Sequence, residues 1–130
     1  MKRVALWLML LPLAAAAQNG AIRPGEIWPD EDGVHINAHG GGILKYGGTY
    51  YWFGEHKSER TSSALVGVTC YSSSDLLHWR KCGVALNVTD TPGHDIERGC
   101  VLERPKVIYN PVTGKFCMWF HLELKGQGYD

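Results

Sequence analysis

Gly41-Gly42-Ile43-Leu44-Lys45-Tyr46-Gly47-Gly48-Thr49-Tyr50-Tyr51-Trp52-Phe53-Gly54-Glu55 reads as an apolar strand over Ile43 to Tyr46, a two-glycine turn and an aromatic strand over Thr49 to Gly54, the glycine triplet 40–42 being either a flexible turn or a close backbone approach. The pattern returns in Arg104-Pro105-Lys106-Val107-Ile108-Tyr109-Asn110-Pro111-Val112-Thr113-Gly114-Lys115-Phe116-Cys117-Met118-Trp119-Phe120-His121-Leu122-Glu123. Setting Gly48 on Gly114 gives a period of 66 residues. Self-similarity at such a period marks stacked units, because one hairpin cannot bury both of its faces alone. The second copy runs only to Tyr129-Asp130, so at least one further unit is expected to follow.

Outward from the two hairpins, residues 64–72 alternate Val66, Val68 and Cys70 with Gly67, Thr69 and Tyr71, the period-2 signature of a third strand. A polar turn through Ser73, Ser74 and Asp75 ends in Trp79 and leads to a fourth strand over 80–84. Four antiparallel strands make one propeller blade. The polar stretch 86–98 reads as the crossing loop, with 100–109 the inner strand of a second blade, 110–114 its turn and 115–123 the partner strand. The fold class expected is all-β, a β-propeller fragment holding the first blade and about half of the second.

Lys2-Arg3, an apolar run from Val4 to Leu13 and Ala14-Ala15-Ala16-Ala17 form a secretory signal peptide, residues 1–17. The apolar run is shorter than the roughly 20 residues a membrane span needs. The mature domain is then 18–130, secreted or periplasmic, with no membrane attachment after cleavage. Thirteen Lys and Arg balance thirteen Asp and Glu, which leaves no charge excess to draw nucleic acid. Cys70, Cys82, Cys100 and Cys117 are spaced too widely for a zinc site and allow three disulfide pairings or free thiols.

In a propeller the starts of the inner strands gather around one axial funnel. Those positions hold Asn37 and His39 in the first unit, Glu103 and Arg104 in the second, and Glu55 ends the adjacent aromatic strand. Sugars are bound by aromatic platforms together with polar groups that pair their hydroxyls, and five tryptophans and six tyrosines supply the first kind. For a single aromatic, a place in the core is the plainer reading. Glu103 beside Arg104 is held ionised by its neighbour, whereas a solvated or salt-bridged glutamate is the bland alternative for both Glu55 and Glu103.

Four motifs in order, Ile36 to Leu44, Tyr50 to Glu55, Ser73 to Trp79 and Glu103 to Asn110, resemble glycoside hydrolase family 43, nearest its exo-β-1,3-galactanase branch. The resemblance implies a five-bladed propeller and a secreted glycosidase that removes terminal β-1,3-linked galactose from polysaccharide with inversion. Most of that family places a base Asp where this chain reads Asn37-Ala38-His39-Gly40, and carries its acid on later blades, so the 130-residue chain is expected to be inactive alone. By the resemblance, Glu103 is the inner-strand glutamate facing the terminal sugar and the candidate catalytic residue, with Glu55 and Tyr129 as further contacts beside Asn37, His39 and Arg104. Channel calcium occurs in some relatives; no residue pattern here supports it, and no cofactor or metal is expected. Arabinofuranosidase or xylosidase activity, a non-catalytic sugar-binding propeller and a small disulfide-held β domain are the rival readings.

Overall fold

A computed structural model describes residues 20–58 and 61–127, so the signal-peptide reading and Tyr129 lie outside the described residues. Six strands form: β1 His39–Tyr46, β2 Thr49–Glu55, β3 Gly67–Ser73, β4 Arg80–Asn87, β5 Val101–Asn110 and β6 Lys115–Glu123. The first four make an antiparallel sheet in sequence order, and β5 pairs with β6 in a second. The architecture is all-β, one complete four-stranded propeller sheet followed by an inner hairpin.

Both faces of the first sheet are covered. One carries Phe53, Val68 and Leu86, which pack with Cys100, Leu102, Met118 and Phe120 between the two sheets. The other buries Tyr71 and Trp79 beneath Ile36 and Ala38, with Trp28 and Trp52 completing the cluster. Trp28, Trp52 and Trp79 meet edge to face at centroid distances of 5.7, 6.5 and 5.2 Å. Aromatic pairs of this kind add about 0.5–1.5 kcal/mol to area burial. The segment before β1 is therefore no loose lead-in: Pro29 bridges to His35, and Trp28 donates its indole N–H to the Leu77 carbonyl.

The hairpin turns differ in a way that explains the repeat. Gly47 and Gly48 take φ of 56° and 84°, the two-residue turn whose twist matches the flanking strands. The second turn spends two more residues, with Gly114 donating to the Asn110 carbonyl at 2.9 Å. Gly48 and Gly114 each stand one residue before the outgoing strand, so the 66-residue alignment is structurally correct.

Strand β1 begins four residues earlier than the sequence implies, because Gly40, Gly41 and Gly42 lie within the strand. The register steps from His39 opposite Glu55 to Gly42 opposite Phe53, a bulge of two residues against one. Strand β5 does the same: Glu103 faces His121 and Lys106 faces Trp119, leaving Arg104 and Pro105 against Phe120 alone. Proline inside a strand is tolerated at such a bulge because the ladder needs no N–H there.

Candidate functional site

The two bulges lie against each other, and the site is built around them. A side chain at Gly40 would stand 3.2 Å from Arg104 Cγ and 3.3 Å from Glu55 Oε1. At Gly41 a Cβ would meet the Phe53 carbonyl oxygen at 2.2 Å, and at Gly42 it would meet Lys106 Cδ at 2.7 Å. Close approach of strand to strand, combined with φ of +53° at Gly40, is what the glycine run provides. Lys106 uses that proximity, donating to the carbonyls of Gly40 at 2.8 Å and Gly41 at 2.7 Å. One ammonium thus joins the inner strands of consecutive sheets where no ladder connects them.

At this junction Lys57, just past β2, reaches two carboxylates: Glu55 Oε2 at 3.1 Å and Glu103 Oε1 at 3.4 Å. Arg104 Nη2 approaches the other Glu103 oxygen at 3.2 Å. Glu55 and Glu103 side chains are 9% and 17% exposed, against 61% for Arg104, so the carboxylates line a recess with the guanidinium at its rim. Burial pushes the Glu103 carboxyl up, but the hydrogen bond and charge of Lys57, joined by Arg104, hold it below the usual glutamate range. Glu103 is therefore a hydrogen-bond acceptor at neutral pH rather than a proton donor.

Asn37 reaches the site through the backbone of Lys57. Its Nδ2 donates to the Lys57 carbonyl at 2.6 Å and its Oδ1 accepts from the Lys57 N–H at 2.8 Å. The Asn37 N–H donates to the Tyr71 hydroxyl, and its carbonyl accepts from the Thr69 hydroxyl. These bonds direct the Asn37 amide to the chain, and what it positions is the lysine.

His39 opens β1 opposite Glu55 and is exposed. His56, next to Glu55, has its imidazole held below the usual histidine range by burial, with Lys81 and His39 adding to the effect. Its Nδ1 is buried without a hydrogen-bond partner. Of the residues singled out from the sequence, Glu55, Glu103 and Arg104 come together, His39 lies alongside and Asn37 supports from beneath. Lys57 and Lys106 were not foreseen; the signal available for Lys57 was its place two residues after Glu55, which puts both on one side of extended chain.

All four cysteines carry free thiols, Cys70 and Cys100 buried, Cys82 and Cys117 exposed. Among the described residues no group of three or more His, Cys, Asp or Glu side chains is placed to hold a metal ion.

A four-stranded antiparallel sheet whose β1 lies against the β5–β6 hairpin has the arrangement of consecutive propeller blades. The solved structures specify which propeller. A family 43 β-1,3-galactosidase crystallised with galactodeoxynojirimycin matches at 61% identity and a TM-score of 0.79, over 81% of this chain and 30% of its own. The exo-β-1,3-galactanase of Phanerochaete chrysosporium bound to galactose matches at 44% identity and a TM-score of 0.71, over 77% and 23%. That of Clostridium thermocellum matches at 42% identity and a TM-score of 0.70, over 79% and 21%. No protein-family model and no curated protein sequence matches. The chain belongs to glycoside hydrolase family 43, with the β-1,3-galactosidases and galactanases, and spans between about a fifth and a third of the length of those structures.

Proposed function

We propose that this chain forms part of a secreted exo-β-1,3-galactanase, and that the recess of Glu55, Lys57, Glu103 and Arg104 holds the terminal galactose of the substrate. The observation that carries the reading is the pair of largely buried carboxylates held on one cation, at the inner-strand junction of a chain so similar to enzymes solved with galactose and a galactose analogue. Buried carboxylates accept hydrogen bonds from sugar hydroxyls, and the rim arginine donates to ring or linkage oxygens.

Cleavage with inversion requires a protonated acid at the leaving oxygen and a base-activated water on the opposite face of the sugar. Glu103, kept ionised by Lys57 and Arg104, is unsuited to the acid role, and Asn37 and His39 stand where a carboxylate base would be expected. Both proton-transfer groups are assigned to parts of the enzyme beyond these residues, and the 130-residue chain alone is inactive.

Incubating β-1,3-galactan with the full-length enzyme should release galactose, and proton NMR during the first minutes should show the α-anomer first. Release of arabinose or xylose from their aryl glycosides in preference to galactose would refute the substrate assignment. A β-anomer as first product would refute inversion, and hydrolysis by residues 18–130 alone would refute the division of labour. Amino-terminal sequencing of the exported protein should begin at Gln18.

A further inference from the structure

We propose that Lys57 is a positioning residue, its ammonium shared between Glu55 and Glu103 so that the two carboxylates stand side by side as acceptors for hydroxyls of one sugar ring. The inference rests on reading the recess as a galactose site, and goes beyond it by assigning the arrangement to a residue that touches the two carboxylates rather than the reacting bond. Without a cation between them, two largely buried carboxylates within reach of one ammonium repel, and the pair relaxes by splaying apart or by taking up a proton. A protonated carboxyl donates where the sugar hydroxyl also donates, and the match is lost.

Three observations make Lys57 that cation. Its ammonium touches both carboxylates, at 3.1 and 3.4 Å. Its side chain is only 23% exposed, so water screens the pairs incompletely. Its backbone is gripped on both sides by Asn37, which fixes where the side chain starts. Arg104 cannot substitute, being at the rim and directed at the second Glu103 oxygen alone.

Among the described residues, Lys106 and His121 near the recess are engaged elsewhere. Lys106 of β5 is bound to the carbonyls of Gly40 and Gly41. His121 of β6, opposite Glu103 in the ladder, lies 2.7 Å from Glu123. His39 of β1 stands opposite Glu55, and His56 is held towards its neutral form.

The test combines carboxyl titration with sugar binding in the protein labelled with carbon-13 at its glutamate side chains. In the wild type the Glu103 carboxyl should titrate below the ordinary value of about 4.3. Lys57→Met should raise that midpoint by about one unit or more, and Lys57→Arg should keep it low. Galactose affinity in Lys57→Met should fall about two- to threefold between pH 7 and pH 5, and further below pH 5 as the raised Glu103 midpoint is passed, while Lys57→Arg follows the wild type. A Glu103 midpoint at or above the ordinary value in the wild type overturns the proposal, as does a galactose pH profile unchanged by Lys57→Met. Should Lys57→Met fail to fold, Lys57→Gln decides: losing the charge while keeping a polar side chain must raise the Glu103 midpoint, and an unchanged midpoint counts against Lys57. Absence of galactose binding to wild type defeats the galactose reading instead, and the carboxyl titrations still judge Lys57.

Discussion

Gly41 of β1 and Gly54 of β2 sit where backbone packs directly against backbone. A Cβ at Gly54 would stand 2.2 Å from the Ala38 carbonyl carbon, as one at Gly41 would from the Phe53 oxygen. Backbone atoms cannot swing aside as a side-chain tip can. Gly41→Ala and Gly54→Ala should each cost at least ~3 kcal/mol in urea unfolding, at the upper end of overpacking penalties. Gly47→Asn should cost under ~1 kcal/mol, since nothing lies within 4 Å of that position and asparagine tolerates its φ.

Titrating side chains give the same scale a pH dependence. The folded His56 imidazole is depressed relative to the unfolded chain, so the unfolded state binds the extra proton and stability falls as pH drops below about 6.5. Glu103 is depressed too; its contribution is complete above about pH 4.3 and is lost as pH falls through the lower folded value. Melting profiles should therefore decline in two steps on acidification, His56→Gln removing the upper and Glu103→Gln reducing the lower, to which Asp75, Asp90 and Glu97, also held low by their partners, contribute. Burial, and beyond it the neighbouring Cys82, push the Cys70 thiol up to about 12, and Cys100 is raised by burial as well. Iodoacetamide at pH 8 should label the exposed Cys82 and Cys117 first and reach Cys70 and Cys100 only after unfolding, as peptide mass mapping can follow.

At the level of strands and turns, the site depends on extended segments that begin irregularly. Asn37 lies before β1 and Lys57 after β2, yet their side-chain-to-backbone bonds close the sheet at the end where Glu55 sits. Asn37→Ala should destabilise the fold by about 2 kcal/mol through two lost hydrogen bonds and release the lysine. Asn37→Asp should restore only the bond from the Lys57 N–H. Sequence patterning located the β1–β2 turn and placed β6 with its observed bounds, because alternation and Gly-bearing turns are local signals. It started β1 too late, since a glycine triplet resembles a flexible turn until the opposite strand is present to show why no side chain fits. Strand β4 runs on to Asn87, three residues beyond Val84, because its tail pairs with Gly67 and Val68, a contact that local composition does not announce. The place of Glu103 at the start of the second inner strand, beside Arg104, was legible from the repeat. Lys57 was not, because its role depends on Asn37 twenty positions earlier and on a carboxylate from the next sheet.

On the scale of the molecule, the second hairpin presents an apolar outer face. Trp119 is 70% exposed and Ile108 54%, on the side of β5 and β6 turned away from the first sheet. Exposed contiguous apolar surface marks a place where further protein packs. The 130-residue chain should bind a hydrophobic dye and self-associate with rising concentration, and Trp119→Lys should reduce both while changing stability by less than ~0.5 kcal/mol. Sedimentation velocity and dye fluorescence would measure the two effects.

The second hairpin is fastened to the first at two separated levels. Carboxylates and lysines bind the ends near Glu103, and at the far ends Tyr46 meets Tyr109 at 4.6 Å and Phe116 at 5.0 Å between ring centres. A body fixed at two points can turn only about the line joining them, and the apolar layer between the sheets blocks that turn as well. The azimuth from one wedge to the next is thereby set before any later wedge is added, so closure of the ring inherits its angular step from this first joint.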